Sequence, residues 1–347
     1  MNGIKLEGAC DFHTHLRGGA GEPESIFQMA LADTMRNFRR FLPMPNTDPQ
    51  PIETAEQVIA YREKIMQSAP EAEPVMTIYL TVRTTPEIIV EAAKAGAKAA
   101  KYYPKGGTTN SKHGLTPAEL LTKRDLFAAM AEVGMVLCLH AEDPAHEDHT
   151  IRERMFLPVF AEIARDFPRL RIVFEHVSSE MGFQWALRHP NVAVTVAVPH
   201  LFLTTANVVG NHGCLCMPVA KSADDRRALR GLVGMGNPRV FAGTDSAPHA
   251  QFKKDKEKGA FGIYSARYAP ALYASIFAQR HTLARLSDFL CRFGNEWYQL
   301  EPSKGEIEIV REPLRIPDVT EEPGFDPAHS VKHFMAGQEL DFNVRYR

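Results

Sequence analysis

Eight short strand-like runs recur along this chain with helix-like stretches between most of them, and no other feature limits its fold as strongly. The runs are GACDFH at 8–13, NFRRFLP at 37–43, VMTIYLT at 75–81, AKAAKYY at 97–103, MVLCLHA at 135–141, RIVFEHV at 171–177, VAVTVAV at 192–198 and RVFAGTD at 239–245. Between them lie TAEQVIAYREKIMQ, TPEIIVEAAKAG, TPAELLTKRDLFAAMAEVG and ADDRRALRGLVGMG, several of which open on Ser, Thr or Asp and close at Gly, as helices do. Alternation of this kind implies parallel strands joined by crossover helices. Eight such units predict an α/β fold of the (β/α)8 TIM-barrel type. A doubly wound open sheet also alternates, but it favours a glycine-rich phosphate turn after its first strand, and HTHLRGGAGEP does not read GxGxxG.

After residue 260 the pattern turns helical (SARYAPALYASIFAQR, LSDFLCRFGNEWYQL), then gives a short GEIEIVRE and a Pro-rich tail from Pro313 to Pro327. IEIV and HFMAGQELDFNV carry apolar residues that a disordered arm would not need. We therefore expect one domain over residues 1–347, with the barrel over about 8–300 and a C-terminal extension over about 301–347 packed on it.

A formal net charge of -2 provides no basic stripe for nucleic acid, so small-molecule partners are expected. The N-terminus MNGIKLEGACDFHTH shows no charged n-region followed by an apolar h-region, and no run of about 18 apolar residues occurs, so no membrane association and a cytoplasmic location are expected. Five cysteines, without a CxxC pair, suggest reduced thiols rather than a disulfide or zinc framework. Cys10 and Cys138 fall in strand-like runs and read as small core residues.

In a barrel of this type the chemistry sits where the strands end. His13 and His15 end the first run, Lys101 the fourth, His140 the fifth, His176 the sixth and Asp245 the eighth. His13 and His15, two apart, project to one face of a strand, roughly 6.6 Å apart along it, where both can close on one ion. Any one of these histidines alone reads as a satisfied core or rim residue. Four of them with an aspartate form the ligand set preferred by zinc-like ions. His113, His146, His149, His189, His212, His281, His329 and His333 lie mostly in helical or loop stretches and are expected at the surface.

Lys101 is the misfit, because an ammonium cannot bind a cation. One reading has it snorkelling to the barrel mouth. The other has its charged form disfavoured beside two metal ions, so that the neutral amine reacts with carbon dioxide to give a carbamate with two oxygens on a long stem.

HTHLR, AAKYYP, LCLHAE, VFEHVSS and GTDSAPHA, in this order and at these intervals, resemble the amidohydrolase superfamily and, within it, the compact bacterial type of dihydroorotase. FLPMPNT, TTNSKHGLT and CMPVAK are similar to that family and not to the hydantoinases. The resemblance implies two zinc ions bridged by an N6-carboxylated Lys101. His13, His15, Lys101 and Asp245 would hold one, and Lys101, His140 and His176 the other. It implies reversible interconversion of N-carbamoyl-L-aspartate and L-dihydroorotate in pyrimidine synthesis, with a metal-bridging hydroxide as nucleophile, Asp245 as general acid and base, and a homodimer. A purely structural metal ligand is the plainer role for Asp245.

Arg17, two residues past His15, can offer a bidentate fork to a substrate carboxylate, or it is a solvated rim residue. Asn46 and His249 match the family's other carboxylate-binding positions, and the backbone near Met217 and Phe261 would touch the ring. KGGTTNSKHGLT reads either as a mobile lid, closing through Thr108 and Thr109, or as an ordinary surface loop. Two departures stand out: the family's HLRDG is HLRGG here, placing Gly18 where a carboxylate is usual, and the small-residue segment after His249 is replaced by QFKKDKEKG. Other readings are an amidohydrolase acting on a different cyclic amide or amidine, and a non-catalytic barrel serving as a scaffold.

Overall fold

All eight predicted runs form strands in the computed structural model, which describes residues 3–17, 24–256, 259–320 and 329–346. They are β1 (Cys10–Thr14), β2 (Arg40–Pro43), β3 (Thr77–Tyr79), β4 (Ala99–Tyr102), β5 (Val136–Leu139), β6 (Ile172–Phe174), β7 (Val192–Val196) and β8 (Val240–Ala242). From β3 to β8 each strand pairs in parallel with the next. β1 pairs with β2, and β2 with Glu73–Pro74 on the way into β3. The ring closes just beyond β8, where the Asp245 N–H donates to the His13 carbonyl and the His15 N–H to the Ser246 carbonyl, each at 2.9 Å. The fold is a (β/α)8 barrel.

Several helices start where side-chain acceptors meet the free N–H groups of a first turn. Thr54 and Gln57 form a reciprocal capping box ahead of Ala55–Ser68, Thr116 and Glu119 another ahead of Pro117–Leu121, and Ser222 and Asp225 a third ahead of Ala223–Val233. Two boundaries differ from the sequence reading. The stretch over 116–134 divides into Pro117–Leu121 and Arg124–Val133, because Lys123 leaves helical geometry. The run at 37–43 is strand only from Arg40, since Asn37 still belongs to the helix Glu24–Asn37.

Period-2 alternation sorts the strand residues into two cores. Ala100, Tyr102, Leu137, Leu139, Ile172 and Phe174 face the helices. Cys10, Phe12, Ala99, Val136, Cys138, Val173, Ala193 and Phe241 fill the barrel interior, as the reading of Cys10 and Cys138 expected. The helix Phe293–Tyr298 plugs the interior from below. Its Tyr298 ring stacks on Phe12 with centroids 4.9 Å apart and its hydroxyl lies 3.1 Å from Cys138 Sγ. Gly294 is required there, because a β-carbon would come within 2.1 Å of the Phe12 ring.

Beyond the barrel, Glu306–Val310 pairs antiparallel with both Ile4–Glu7 and Asn343–Tyr346, so the chain's two ends share one small sheet. His333 is a correction: it is buried, stacked near Tyr264 and edge-on to Tyr268, because the segment carrying it runs under the loop after β8. Among the described residues no helix is long and apolar enough to cross a membrane.

Candidate active site

Alternation also aims the polar residues. On β4, Ala99 and Lys101 share the inward face, and on β5 Val136 and Cys138 lead to His140 just past the strand. β1 changes parity on the way: its pairing with β2 shifts register between Asp11 and Thr14, so that Phe12 packs inside below while His13 and His15 turn to the site above. His176 and Asp245 sit beyond the ends of β6 and β8 in left-handed backbone, with φ of 40° and 49°. Such strain collects at functional sites, and here it swings both side chains out of the ladder toward one centre.

The structure brings His13, His15 and Asp245 together, with one ligand atom from each within 4.8 Å of the others. Asp245 Oδ1 lies 3.4 Å from Nε2 of both His13 and His15. The His176 ring centroid is 4.6 Å from that of His140 and 5.0 Å from that of His13. Lys101 is fully buried, its Nζ without a hydrogen-bond partner and 5.1 Å from the Tyr103 ring centroid. It therefore does not snorkel.

Burial dominates the electrostatics. It lowers His13 to about 4, with the Lys101 ammonium adding to the effect against the pull of Glu175, and it holds His15 and His176 well below the usual imidazole range. His140 and Lys101 are lowered by the same cause. Asp245 is pushed up to about 7 by burial, opposed by Lys101 and Arg17. Neutral imidazoles with lone pairs, a carboxyl group and an amine that resists charging make a donor set that suits divalent cations.

Three carboxylates that the sequence reading passed over support these donors. Glu175 Oε2 accepts from His13 Nδ1 at 2.8 Å and from the Thr195 hydroxyl at 2.7 Å, leaving His13 Nε2 toward Asp245. Glu142 Oε2 lies 2.7 Å from His140 Nε2, so Nδ1 is the nitrogen left for the site. Asp11 accepts from the Thr244 N–H and hydroxyl and from the His13 N–H, tying β1 to the loop after β8. A signal was present in each motif, since Asp11 and Glu142 stand two residues from a candidate ligand and Glu175 stands one away.

Above this centre lies a cavity of about 150 Å³ lined by His15, Arg17, Asn46, Thr109, His249 and Lys253, among others. The segment over 105–115 lies across it. Asn46 Nδ2 donates to the Thr109 carbonyl at 2.9 Å, Asn46 Oδ1 accepts from the Tyr103 hydroxyl at 2.9 Å, and the Thr109 hydroxyl donates to the Phe261 carbonyl at 3.1 Å. The same carbonyl accepts from His249 Nε2 at 2.9 Å. Thr108 does not line the cavity and bonds within its own loop through its backbone N–H, which donates to the Ser111 hydroxyl; Met217 is buried and does not line this cavity either. Gly18 lies outside the described residues.

An amidohydrolase family profile matches residues 10–206. A dihydroorotase from Synechocystis sp. is 37% identical over 344 residues, covering 96% of this chain and 97% of the relative. One from Marinomonas sp. is 35% identical, covering 99% and 100%. Among solved structures, a dihydroorotase from Saccharomyces cerevisiae in complex with 5-fluoroorotic acid superposes with a TM-score of 0.93 at 31% identity, over 100% of this chain and 99% of that one. With the profile over more than half its length and such relatives over nearly all of it, this chain belongs to the dihydroorotase family of the amidohydrolases.

Proposed function

We propose that the chain catalyses the reversible interconversion of N-carbamoyl-L-aspartate and L-dihydroorotate, the ring-closing step of de novo pyrimidine synthesis. The observation that carries this reading is a buried His13–His15–Asp245 cluster whose His15 also lines a cavity with Arg17, Asn46 and His249, donors suited to a carboxylated substrate.

The residues fit a metal centre by their own chemistry, and the orphaned Nζ of Lys101 is the sharpest sign of it, because a buried amine without a partner is costly. In this reading His13, His15, Lys101 and Asp245 would hold one zinc ion and Lys101, His140 and His176 a second, with Lys101 carboxylated by carbon dioxide on its neutral amine. Such ions, when bound, polarise an amide carbonyl and make water a nucleophile at neutral pH. Arg17, Asn46 and His249 hold the substrate's α-carboxylate, and one N–H of the Asn46 amide remains for it while the other donates to Thr109. In ring opening, Asp245 takes a proton from the attacking water at a carboxylate oxygen and delivers it to the leaving ring nitrogen. In ring closure it takes the proton from the ureido nitrogen and returns it to the departing water. Thr109, bonded to the Phe261 carbonyl, closes the cavity against solvent.

The whole chain is read as one catalytic domain, working as a cytoplasmic homodimer; light scattering in solution tests the dimer. For the activity, zinc-replete protein is incubated with L-dihydroorotate and ring opening followed by ultraviolet absorbance. Absence of turnover would refute the assignment, and a count of about two zinc ions per chain supports the binuclear site.

A further inference from the structure

The charged run after His249 contains a lysine that solvation does not explain. Lys254 ends the short helix Gln251–Lys254 and is only 6% exposed. Its Nζ donates to the carbonyls of Leu215, Ala260 and Gly262 at 3.0, 2.9 and 2.8 Å. An ammonium has three donors, and all three are used.

The carbonyls come from two separate stretches of backbone. Leu215 lies two residues before Met217, and Ala260 and Gly262 flank Phe261. The two stretches also meet directly, through the Gly262 N–H and the Leu215 carbonyl at 3.0 Å. Gly262 has a φ of 148°, and a β-carbon there would come within 2.8 Å of Ala247 and 3.0 Å of His249, so the backbone passes close to the residues that shape the cavity. A single such hydrogen bond sets a contact, whereas an ammonium drawing three carbonyls to one point also sets the angle between the chains that carry them.

We propose that Lys254 is a positioning residue for substrate binding: it clamps the backbone at 215 and at 260–262 so that Ala260 and the Phe261 carbonyl, which holds His249 and Thr109, keep a fixed edge on the substrate cavity. The inference rests on the reading of the cavity lined by Arg17, Asn46, His249 and Ala260 as the substrate's place. Lys254 touches none of the donors around Asp245. Its loss acts on substrate binding and leaves the metal centre and the proton transfer in place.

The test compares zinc-replete wild-type protein with Lys254→Met, which retains the stem and removes the donors, and Lys254→Arg, which keeps a cation with several N–H groups. Amide hydrogen exchange over 213–217 and 259–263, zinc per chain, and KM and kcat for dihydroorotate are measured. Lys254→Met is expected to speed exchange at Gly262 and to raise KM about tenfold or more, with kcat within about threefold and zinc unchanged; Lys254→Arg restores part of the KM. Unchanged exchange in both segments overturns the proposal, as does an equal fall in kcat with loss of zinc. Should Lys254→Met not fold, Lys254→Gln, with two donors, is measured in the same way. If wild-type protein fails to turn over dihydroorotate, the assigned activity is at fault, and the exchange data alone decide the role of Lys254.

Discussion

Replacing Glu175 by Gln removes a charge from the floor of the site without changing its volume. Glu175 Oε2 receives a proton donor from each side, His13 Nδ1 at 2.8 Å and Thr195 Oγ1 at 2.7 Å, and the side chain is fully buried. A glutamine oxygen can still accept these bonds, but His13 loses the anion that holds its proton on Nδ1, and the new NH2 group enters a buried site with no acceptor assigned to it. A hydrogen bond to a charged group contributes about 1.5–3 kcal/mol, which corresponds to roughly 10- to 150-fold in a binding constant. That range overlaps the approximately 10- to 100-fold loss in metal affinity seen when a partner behind a ligating histidine is removed. Zinc affinity of Glu175→Gln is therefore expected to fall about 10- to 100-fold, with kcat at limiting zinc falling in step. Chelator competition with purified protein measures the affinity, and circular dichroism checks that the variant is folded. Thr195→Val, which leaves the His13–Glu175 bond intact, is expected to cost less. A folded Glu175→Gln protein with zinc affinity within about twofold of wild type would show that this carboxylate does not orient His13.

Lys101→Ala is expected to lose both activity and retained zinc, with partial recovery when a short carboxylic acid fills the space of the missing stem; unchanged metal content would rule out a bridging role. Arg17→Met should raise KM with little change in zinc content and lower kcat/KM by about 10- to 150-fold, the worth of a charge-assisted pair; steady-state kinetics with dihydroorotate read it, and an unaltered KM would show that the buried Arg17 does not hold the substrate. His200 provides a pH prediction. Its Nε2 donates to the Pro218 carbonyl at 2.9 Å, its Nδ1 is buried without a hydrogen-bond partner, and burial lowers it to about 4, with Lys221 and His140 acting in the same direction and the Pro218 bond and Glu142 against it. The unfolded chain takes up this proton first, so the contribution is complete above about pH 6.5 and is lost as pH falls toward 4, by at most about 3 kcal/mol. Denaturant unfolding at pH 7 and pH 4.5 should show a smaller loss for His200→Gln than for wild type, and identical losses would contradict it.

Much of the fold was legible because strand and helix periodicity are local properties. Eight apolar runs with capping residues between them suffice to predict a barrel, and all eight formed strands. The donors were legible for a related reason: in this fold the ends of the strands converge, so a histidine, lysine or aspartate at a strand's last inward position reaches a common centre wherever it lies in the chain. Strand lengths were less legible, because the backbone bends that end β6 and β8 arise from contacts across the barrel mouth and not from the residues in the runs.

The sequence by itself determined the alternating architecture, the candidate donors at the strand ends and the likeness to dihydroorotases, all of which depend on residue type and spacing along the chain. Only the tertiary structure decided that Lys101 is sealed inside and not snorkelling, that Glu175 supports His13 and Asp11 bonds Thr244 across the barrel, that His200 and His333 are buried, and that Lys254 turns inward to the Leu215 carbonyl. Each of those depends on a partner far away in sequence. Glu175 meets His13 from 162 residues away, and the energy of burying a charge is set by what folding brings beside it.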